Sequence, residues 1–377
     1  MPTTPTPDDA HRRALLSLIT LQGMGPKRLR SVLDAFGDPL TALHASTNDW
    51  LAAGLPRALA TARPRGDEAR VAAMLDWLAA DPSHHLILAG DPHYPALLHS
   101  LPDAPAALFA RGDIRLLDEP QLAMVGARNA TTGGLNNARA FAKHLAACGL
   151  VITSGLALGI DAAAHDGALQ AQGATIAVMG TGPDLIYPQQ NQPLAQRILN
   201  TGGLLVSEWP PGTPARKEHF PRRNRLISGL AEGVLVVEAG LQSGSLITAR
   251  LATEQGREVF AIPGSIHNPL ARGCHRLIRD GAKLVETAQD IFEELAPRLG
   301  ARLRSAPDTP ALDPVSAPAQ EESHAQLLAL LGFDPQTADS LIHASGLTPA
   351  EVSSILLMLE LEGQVTTLPG GLYCRTA

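Results

Sequence analysis

Lysine and aromatic residues are scarce in this chain of 377 residues. There are four lysines, Lys27, Lys143, Lys217 and Lys283, so arginine supplies most of the positive charge. Aromatic residues make up 3%, so an aromatic side chain inside a polar motif stands out. The formal net charge of −7 excludes a general attraction for polyanions, and any site for one must be a local basic patch.

Cysteine is also rare, and long apolar runs are missing. Cys148, Cys274 and Cys374 form no C-x-x-C pair, and an odd count suits a reducing compartment. No stretch approaches the roughly 18 apolar residues of a membrane span. The first residues, MPTTPTPDDAHRR, contain no apolar signal-peptide core. We therefore predict a soluble cytoplasmic protein that makes no membrane contact.

Residues 1–84 are predicted to form a small helical domain, because apolar residues recur at helical spacing from residue 11 onward. The sequence G-M-G-P at 23–26, followed by Lys27, Arg28 and Arg30, is typical of a helix-hairpin-helix turn. The start of its second helix could bind a phosphate. The alternative is a purely structural hairpin, which is favoured because no other feature of this segment supports a second DNA site.

From residue 121, short apolar runs alternate with helical segments. Such a rhythm indicates βαβ units whose strands are buried on both faces. Right-handed crossovers then predict an α/β fold with a doubly wound parallel sheet. The predicted strands are QLAMVG, LVITSG, TIAVMG, GLLVSE, GVLVVEAG and EVFAIPG.

The C-terminal part is predicted to be a separate winged-helix domain. Residues 298–322 are rich in proline and alanine, which indicates a disordered linker. In residues 323–377, Thr348 and Glu351 form a capping box, and a hairpin turns at P-G-G 369–371. This segment has five acids and one arginine, so we expect it to contact protein or to regulate, and DNA binding is the less favoured alternative.

Three loops at the carboxyl ends of the predicted strands carry small and hydroxyl residues. Ligands of parallel sheets bind at this edge, and backbone N–H groups at helix starts attract anions. The loops contain Gly126, Ala127, Arg128, Asn129, Thr131 and Thr132 after the first strand, Ser154 and Gly155 after the second, and Glu238, Ser243, Gly244 and Ser245 after the fifth.

Nucleotide cofactors are disfavoured by the same loops. The first loop reads GARNATTGG instead of G-x-G-x-x-G, and the second strand ends at Thr153 and Ser154 without an acid. The Walker lysine pattern is also missing. We therefore predict no cofactor.

The segment from 216 to 225, RKEHFPRRNR, has five cations and one acid around Phe220. Phosphate neutralisation combined with base stacking is how proteins hold single strands without reading their sequence. A solvated basic loop with Phe220 in the core is the alternative. Because the segment is predicted to face the three anion-binding loops, single-stranded DNA is the favoured ligand.

Catalytic and metal-binding patterns are weaker. Asp161 and His165 share a helix face but lack further ligands, so capping or core hydrogen bonds are the better interpretation. Ser154 has no evident histidine base. Glu238 at a strand end could act as a base, but it is rather expected to order neighbouring arginines. We therefore predict a protein that is not an enzyme and binds no metal.

At these motifs the sequence resembles the DNA processing protein A family, DprA, also called Smf. The resemblance implies an extended Rossmann-like domain at 85–297, flanked by a SAM-like helical domain and a winged helix. It also implies a homodimer that binds single-stranded DNA, protects incoming DNA and loads the RecA recombinase in natural transformation; single-strand-binding protein is a further candidate partner. The matching motifs are 91–95 (DPHYP), 125–128 (VGAR), 154–162 (SGLALGIDA), His165, 187–188 (YP), 207–208 (SE), 220–225 (FPRRNR), 237–239 (VEA), 243–249 (SGSLITA) and 262–264 (IPG).

The resemblance also assigns part of the site. Ala127 departs from the family pattern, which usually has serine, so we expect a weaker contact there. The residues implied by the family are Gly126, Arg128, Lys217, Phe220, Arg223, Asn224 and Arg225; the loop and charge arguments add Ser154, Gly155, Arg222, Ser243, Gly244 and Ser245.

Two alternative functions remain open. A nucleotide hydrolase on a related fold would need a P-G-G-x-G-T-x-x-E loop, and the nearest segment, EAGLQSGSLITA, lacks it. A transcription regulator would use the winged helix, whose acidic recognition helix argues against duplex binding.

Overall fold

A computed structural model describes residues 7–62, 67–299 and 335–376, together with positions 324, 327, 328, 330 and 331. The N-terminal segment is helical, as predicted. Pro26 begins α2. Proline has no N–H group, and at the first position of a helix that group would have no partner within the helix, so nothing is lost. The helices are α1 (Pro7–Thr20), α2 (Pro26–Phe36), α3 (Pro39–His44), α4 (Thr47–Ala52), α5 (Arg57–Ala62) and α6 (Glu68–Ala80).

A nine-stranded sheet follows, in the order β1-β2-β6-β5-β4-β3-β7-β8-β9. The last seven strands in this spatial order, β6-β5-β4-β3-β7-β8-β9, are parallel to one another. All residues of the five strands β3, β4, β5, β6 and β7 are buried. The strands are β1 (His84–Leu88), β2 (Ala107–Gly112), β3 (Gln121–Val125), β4 (Val151–Ser154), β5 (Thr175–Val178), β6 (Leu204–Ser207), β7 (Gly233–Val236), β8 (Glu258–Ala261) and β9 (Lys283–Leu284).

Helices cover both faces of this sheet. Ile227 of α11 and Ala249 of α12 belong to the core on one face, while Leu145 of α8 and Ala164 of α9 belong to the core on the other. The doubly wound arrangement is confirmed. The helices are α7 (Ala96–His99), α8 (Thr132–Ala147), α9 (Ile160–Gln170), α10 (Gln192–Asn200), α11 (His219–Leu230), α12 (Gly244–Glu254), α13 (Arg272–Arg279) and α14 (Ala288–Leu299), with 3-10 turns at Ile114–Asp118 and Gln189–Asn191.

The sheet is mixed, whereas the sequence predicted a parallel one. Strand β2 pairs antiparallel with β6, and β1 pairs antiparallel with β2. Both strands precede the first predicted strand, and the partner of β2, strand β6, is far away in the sequence. Leu86 and Leu88 of β1 pack with Leu15 and Leu18 of α1, so the helical segment shares a core with this end of the sheet.

The C-terminal unit has the predicted winged-helix elements. Its three strands pair in the order β10-β12-β11, and the capping box of Thr348 and Glu351 is formed at the start of α16. Of the predicted linker, 298–299 belong to α14, and the rest lies outside the described residues, so the domain boundaries stay predictions. The elements are β10 (Gln336–Thr337), α15 (Ala338–Ser345), α16 (Pro349–Leu361), β11 (Val365–Leu368) and β12 (Leu372–Arg375).

No single helix in the described ranges has the length and apolar content needed to cross a membrane. Helices α15 and α16 reach that threshold only when counted together, and they meet at a bend of 115°.

Candidate nucleic-acid interface

A cavity of about 610 Å³ opens at the carboxyl edge of the parallel strands. It lies where the chain changes direction across the sheet, because β3 leads to β4 on one side and β7 leads to β8 on the other. Loops diverge at such a switch point and leave a crevice for ligands. The residues lining this sheet-edge cavity are Val125, Gly126, Arg128, Ala157, Asp161, Tyr187, Lys217, Phe220, Pro221, Arg223, Asn224, Ile227, Ser243, Gly244, Ser245, Ile247 and Thr248.

Three cations and one acid face this cavity. Arg128 follows β3, Lys217 precedes α11, and both side chains are exposed. Arg223 is only 4% exposed. Burial lowers the pKa of Arg223 to about 10, while the nearby Asp161 carboxylate acts in the opposite direction. Arg223 therefore stays protonated at neutral pH, and the cavity has an excess of positive charge.

The buried guanidinium of Arg223 is held by the ends of two strands. Its Nη1 donates to the carbonyl oxygens of Gly155 and Val178, each at 2.5 Å, and its Nε donates to Asn224 Oδ1 at 3.2 Å. A Cβ atom at Gly155 would lie 2.4 Å from Nη1 of Arg223. Gly155 does not line the cavity; it supports the site by leaving room for this guanidinium.

Two of the three predicted anion-binding loops are already occupied by carboxylates of the protein. Glu238 accepts from the N–H of Thr131 at 2.9 Å and from its hydroxyl at 2.6 Å, at the start of α8. Asp161 accepts from the N–H groups of Gly155 and Ala157. The expectation that Glu238 orders arginines is wrong, because its oxygens bind Thr131 and the amide of Asn268.

The third loop remains open to the cavity. Ser243 caps α12, and its hydroxyl lies 2.6 Å from that of Ser245. A Cβ atom at Gly244 would have no atom within 4 Å, so a ligand can approach the backbone there. The positive end of the helix dipole at such a start favours an anion.

Most of the basic segment lies in α11, so its side chains are distributed over two faces of that helix. Phe220, Arg223 and Asn224 are spaced by three and four residues, so they lie together on the cavity side. Arg222 and Arg225 lie on another side of the helix and do not line the cavity. Arg222 and Arg225 therefore do not face this cavity, and their contact with DNA stays a prediction.

Arg222 and Arg225 instead hold a buried acid. Arg225 is 5% exposed and pairs with Glu208 and, at 3.4 Å, with Asp103. Arg222 pairs with Glu208 at 3.2 Å, and its guanidinium lies 5.4 Å from the ring centroid of Trp209. Burial raises the pKa of Glu208, while both arginines favour its charged form.

Ser154 also lies outside the cavity, contrary to the prediction. Its side chain is fully buried, and its hydroxyl donates to the carbonyl oxygen of Met124 at 2.6 Å. Ala127, where the family usually has serine, is buried as well and does not line the cavity. The expected loss of a hydroxyl contact at Ala127 therefore has no counterpart in this cavity.

An aromatic residue that the sequence analysis left out of the site stands at the mouth of the cavity. Tyr187 is 50% exposed, and its ring centroid lies 5.3 Å from that of Phe220 with an interplanar angle of 40°. Phe220 itself is half-buried. The scarcity of aromatics in the chain, together with the Tyr-Pro motif of the family, was the signal that could have identified Tyr187.

Asp161 and His165 are both used in hydrogen bonds within the protein. In the described part of the chain, no group of three or more His, Cys, Asp or Glu side chains is placed to hold a metal ion. Thr175 donates its hydroxyl proton to the carbonyl of Ile152, so it accepts from Nδ1 of His165 at 2.7 Å. The neutral imidazole is therefore a core hydrogen-bonding group, as one sequence interpretation predicted.

The structure brings nine of the thirteen predicted residues into one cavity. The nine are Gly126, Arg128, Lys217, Phe220, Arg223, Asn224, Ser243, Gly244 and Ser245, and the other four are Ser154, Gly155, Arg222 and Arg225.

Comparison with known proteins agrees with this architecture. Residues 85–296 match the family described as DNA recombination-mediator protein A, which covers more than half of the chain. The chain belongs to this family. Residues 310–371 match the DprA winged helix domain of the same family, which confirms the predicted winged helix.

The family relatives are similar over most of their length. Protein Smf of Escherichia coli (strain K12) is 46% identical over 303 residues, covering 80% of this chain and 79% of Smf. The X-ray structure of DprA from Streptococcus pneumoniae is 39% identical with a TM-score of 0.67, covering 75% of this chain and 97% of that one. A DprA structure from Helicobacter pylori, described as showing a single-stranded DNA binding mode, is 31% identical with a TM-score of 0.52, covering 57% and 96%.

The buried imidazole of His165 predicts a pH dependence of stability. Burial lowers its pKa from 6.5 to about 3, so the unfolded chain binds a proton that the folded chain does not. The stabilisation of the folded state by the neutral His165 is complete above pH 6.5 and is lost as the pH falls toward the pKa of the folded state. Between about pH 6 and pH 4, we expect the free energy of unfolding to fall by up to about 1.4 kcal/mol per pH unit from this group.

Urea unfolding at several pH values measures this slope. His165→Gln should flatten it, whereas His267→Gln, which changes an exposed histidine, should not. Equal slopes for the wild type and His165→Gln would contradict the assignment.

Proposed function

We propose that this protein is a recombination mediator that holds single-stranded DNA by its phosphates in the sheet-edge cavity. One observation carries the proposal: Arg128, Lys217 and Arg223 converge with the open start of α12 on a single cavity, although the whole chain is acidic. The relatives named DNA processing protein DprA, and the Helicobacter pylori structure described as binding single-stranded DNA, support the same ligand.

The cavity is suited to a sugar-phosphate chain. Arg128 and Lys217 are exposed and can follow successive phosphates, whereas the guanidinium of Arg223 is fixed by two backbone carbonyls. The start of α12 supplies N–H groups without a formal charge. Phosphate contacts of this kind do not depend on base identity.

The aromatic pair adds contacts to the bases. Tyr187 and Phe220 are tilted relative to one another at the cavity mouth, so an unpaired base can stack on the exposed Tyr187 ring. Stacking is tolerant of sequence because every base has a π face. A duplex keeps its bases stacked on one another, so this contact favours a single strand.

We infer that the cavity is not catalytic. Asp161, its one lining acid, is engaged by two backbone N–H groups, and burial raises its pKa. The hydroxyl of Ser154 and the carboxylate of Glu238 are likewise used in hydrogen bonds within the protein. These groups stabilise the loops that shape the cavity.

Removing one cation should weaken single-strand binding by about tenfold, since a hydrogen bond to a charged group is worth about 1.5 kcal/mol. Arg128→Ala and Lys217→Ala should each show this loss for all DNA sequences. The slope of log affinity against log salt should also fall by about 0.7 for each lost phosphate contact. Fluorescence anisotropy with labelled oligonucleotides at several salt concentrations measures both.

Lys143→Ala is the matched control, because Lys143 is an exposed lysine near the far end of α8. Unchanged affinity and slope in both cavity variants would contradict the site.

The finer role, protection of incoming DNA and loading of RecA, is proposed from family membership. A second readout is RecA nucleation on DNA coated by single-strand-binding protein, which Lys217→Ala should no longer accelerate.

Tyr187 predicts a separable stacking contribution. Tyr187→Ala should weaken binding by about 1–3 kcal/mol without changing the salt slope, because stacking releases no counterions. Tyr187→Phe keeps the ring and should bind like the wild type. A changed salt slope in Tyr187→Ala, or equal losses in both variants, would contradict stacking.

We propose further that the protein is a homodimer formed through the β9 edge of the sheet. Leu284 on this edge strand and Leu241 and Ile266 in the loops after β7 and β8 are exposed apolar side chains, and Ile266 is 74% exposed. Exposed apolar side chains mark interfaces when they lie together, and these three lie at or after the carboxyl ends of the neighbouring strands β7, β8 and β9. The family resemblance implies a homodimer as well.

Ile266→Asp should shift the protein to the mass of a monomer in size-exclusion chromatography with light scattering, because burying a new carboxylate opposes association. Leu361→Asp, which changes an exposed leucine of the winged helix, is the control and should leave the mass unchanged. A wild-type monomer, or an unchanged mass of Ile266→Asp, would contradict this interface. The role of the winged helix in protein contact stays a prediction.

A further inference from the structure

A second depression lies between the N-terminal helices and α11. Its volume is about 470 Å³, and it contains the helix-hairpin-helix turn, which the sheet-edge cavity does not use. We call it the hairpin groove. Its lining residues are Gly23, Gly25, Pro26, Lys27, Arg28, Asp103, Pro221, Arg222, Arg225 and Leu251.

The hairpin groove concentrates positive charge from two parts of the chain. Lys27 and Arg28 come from the hairpin and Arg222 and Arg225 from α11, against one lining acid, Asp103. Lys27, Arg28 and Arg222 are exposed. These charges are far apart in the sequence, so their convergence is a property of the tertiary structure.

Arg225 lines the groove with a hydrogen-bonding atom that has no partner in the described part of the chain, which is a second observation that favours an anionic ligand there. It is 5% exposed, and its Nη1 atom has no hydrogen-bond partner among the described residues. Its other groups pair with Asp103 and Glu208. Glu208 is shared with Arg222, so two acids balance these two arginines and the excess positive charge of the groove comes from Lys27 and Arg28.

The backbone of the hairpin is also arranged for an anion. Gly25 is the N-cap of α2 and offers no side chain to its N–H groups, and a Cβ atom there would meet no atom within 4 Å. No hydrogen bond among the described residues uses the N–H groups of Lys27 and Arg28. Nη1 of Arg28 donates to the carbonyl of Gly23 at 2.6 Å, which stabilises the turn.

The hairpin groove adjoins the sheet-edge cavity. Pro221 lines both, between Phe220 on the cavity side and Arg222 on the groove side. Because neighbouring residues of a helix point in different directions, α11 presents cations to both depressions at once. A strand that leaves the cavity past Phe220 therefore meets Arg222 and then the hairpin.

We propose that the hairpin groove binds backbone phosphates of the same single strand, beyond the stretch held in the sheet-edge cavity. This inference rests on the proposed function, since it extends the site used there. The purely structural interpretation of the hairpin accounts for its turn but not for the cations gathered around an uncapped helix start. Lys27 and Arg222 are the groups that contact phosphate, and Arg225 supplies positive charge beneath them.

Oligonucleotides of two lengths test the proposal with the full-length protein. A short one of about 6 nucleotides fills the cavity alone, and one of about 30 nucleotides reaches the groove as well. Lys27→Glu and Arg222→Gln should weaken binding of the long strand about fivefold or more and lower its salt slope, while binding of the short strand stays unchanged. Arg57→Glu, an exposed site in the same helical segment but outside the groove, is the control.

The outcomes separate this inference from the proposed function. If Lys217→Ala weakens both lengths while Lys27→Glu and Arg222→Gln weaken neither, the groove proposal is overturned and the cavity assignment stands. Equal losses for short and long strands in Lys27→Glu would also overturn it, because the change would then act through the cavity. If the wild type binds neither length, both proposals are overturned. Circular dichroism checks that each variant is folded.

Discussion

The buried guanidinium of Arg223 determines how α11 lies on the sheet. By donating to the carbonyls of Gly155 and Val178, it ties the helix to the ends of β4 and β5, which lie on one side of the point where the chain changes direction. Breaking these bonds would leave a buried charge without partners, which costs several kcal/mol. With this contact fixed, Phe220 and Asn224 must face the cavity, and Arg222 must face away from it. The requirement for glycine at position 155 follows from the same contact.

Protein carboxylates fill the positions where a simple loop argument places the ligand. Glu238 satisfies an N–H group at the start of α8, and Asp161 satisfies N–H groups in the loop after β4, which keeps those loops ordered without a bound anion. The start of α12 is left open, beside the cations. An acidic chain can in this way present a compact basic site, because its acids either are used within the fold or lie away from the cavity. Affinity for a polyanion then depends on local geometry and not on net charge.

Helix α11 also connects the helical segment to the sheet domain in electrostatic terms. One of its faces completes the sheet-edge cavity, and the other lies against the hairpin turn with Asp103 and the buried Glu208. The shared core of α1 and β1 holds the hairpin next to this second face. A single basic helix with its charges distributed around the axis can thus serve two neighbouring depressions, which a loop of the same composition would not do in a defined way.

Sequence pattern alone determined the βαβ rhythm, the helical segment, the winged helix and the loops that meet at the sheet edge, because apolar periodicity and the geometry of parallel strands leave few alternatives. It also identified nine residues that line the cavity. Only the tertiary structure decided that β1 and β2 extend the sheet antiparallel, since pairing between distant segments leaves no local signal. It likewise decided that Ser154, Gly155, Arg222 and Arg225 lie outside the cavity. Helix phase, burial and competition from Glu238 and Asp161 depend on neighbours that are remote in the chain, and composition cannot encode these.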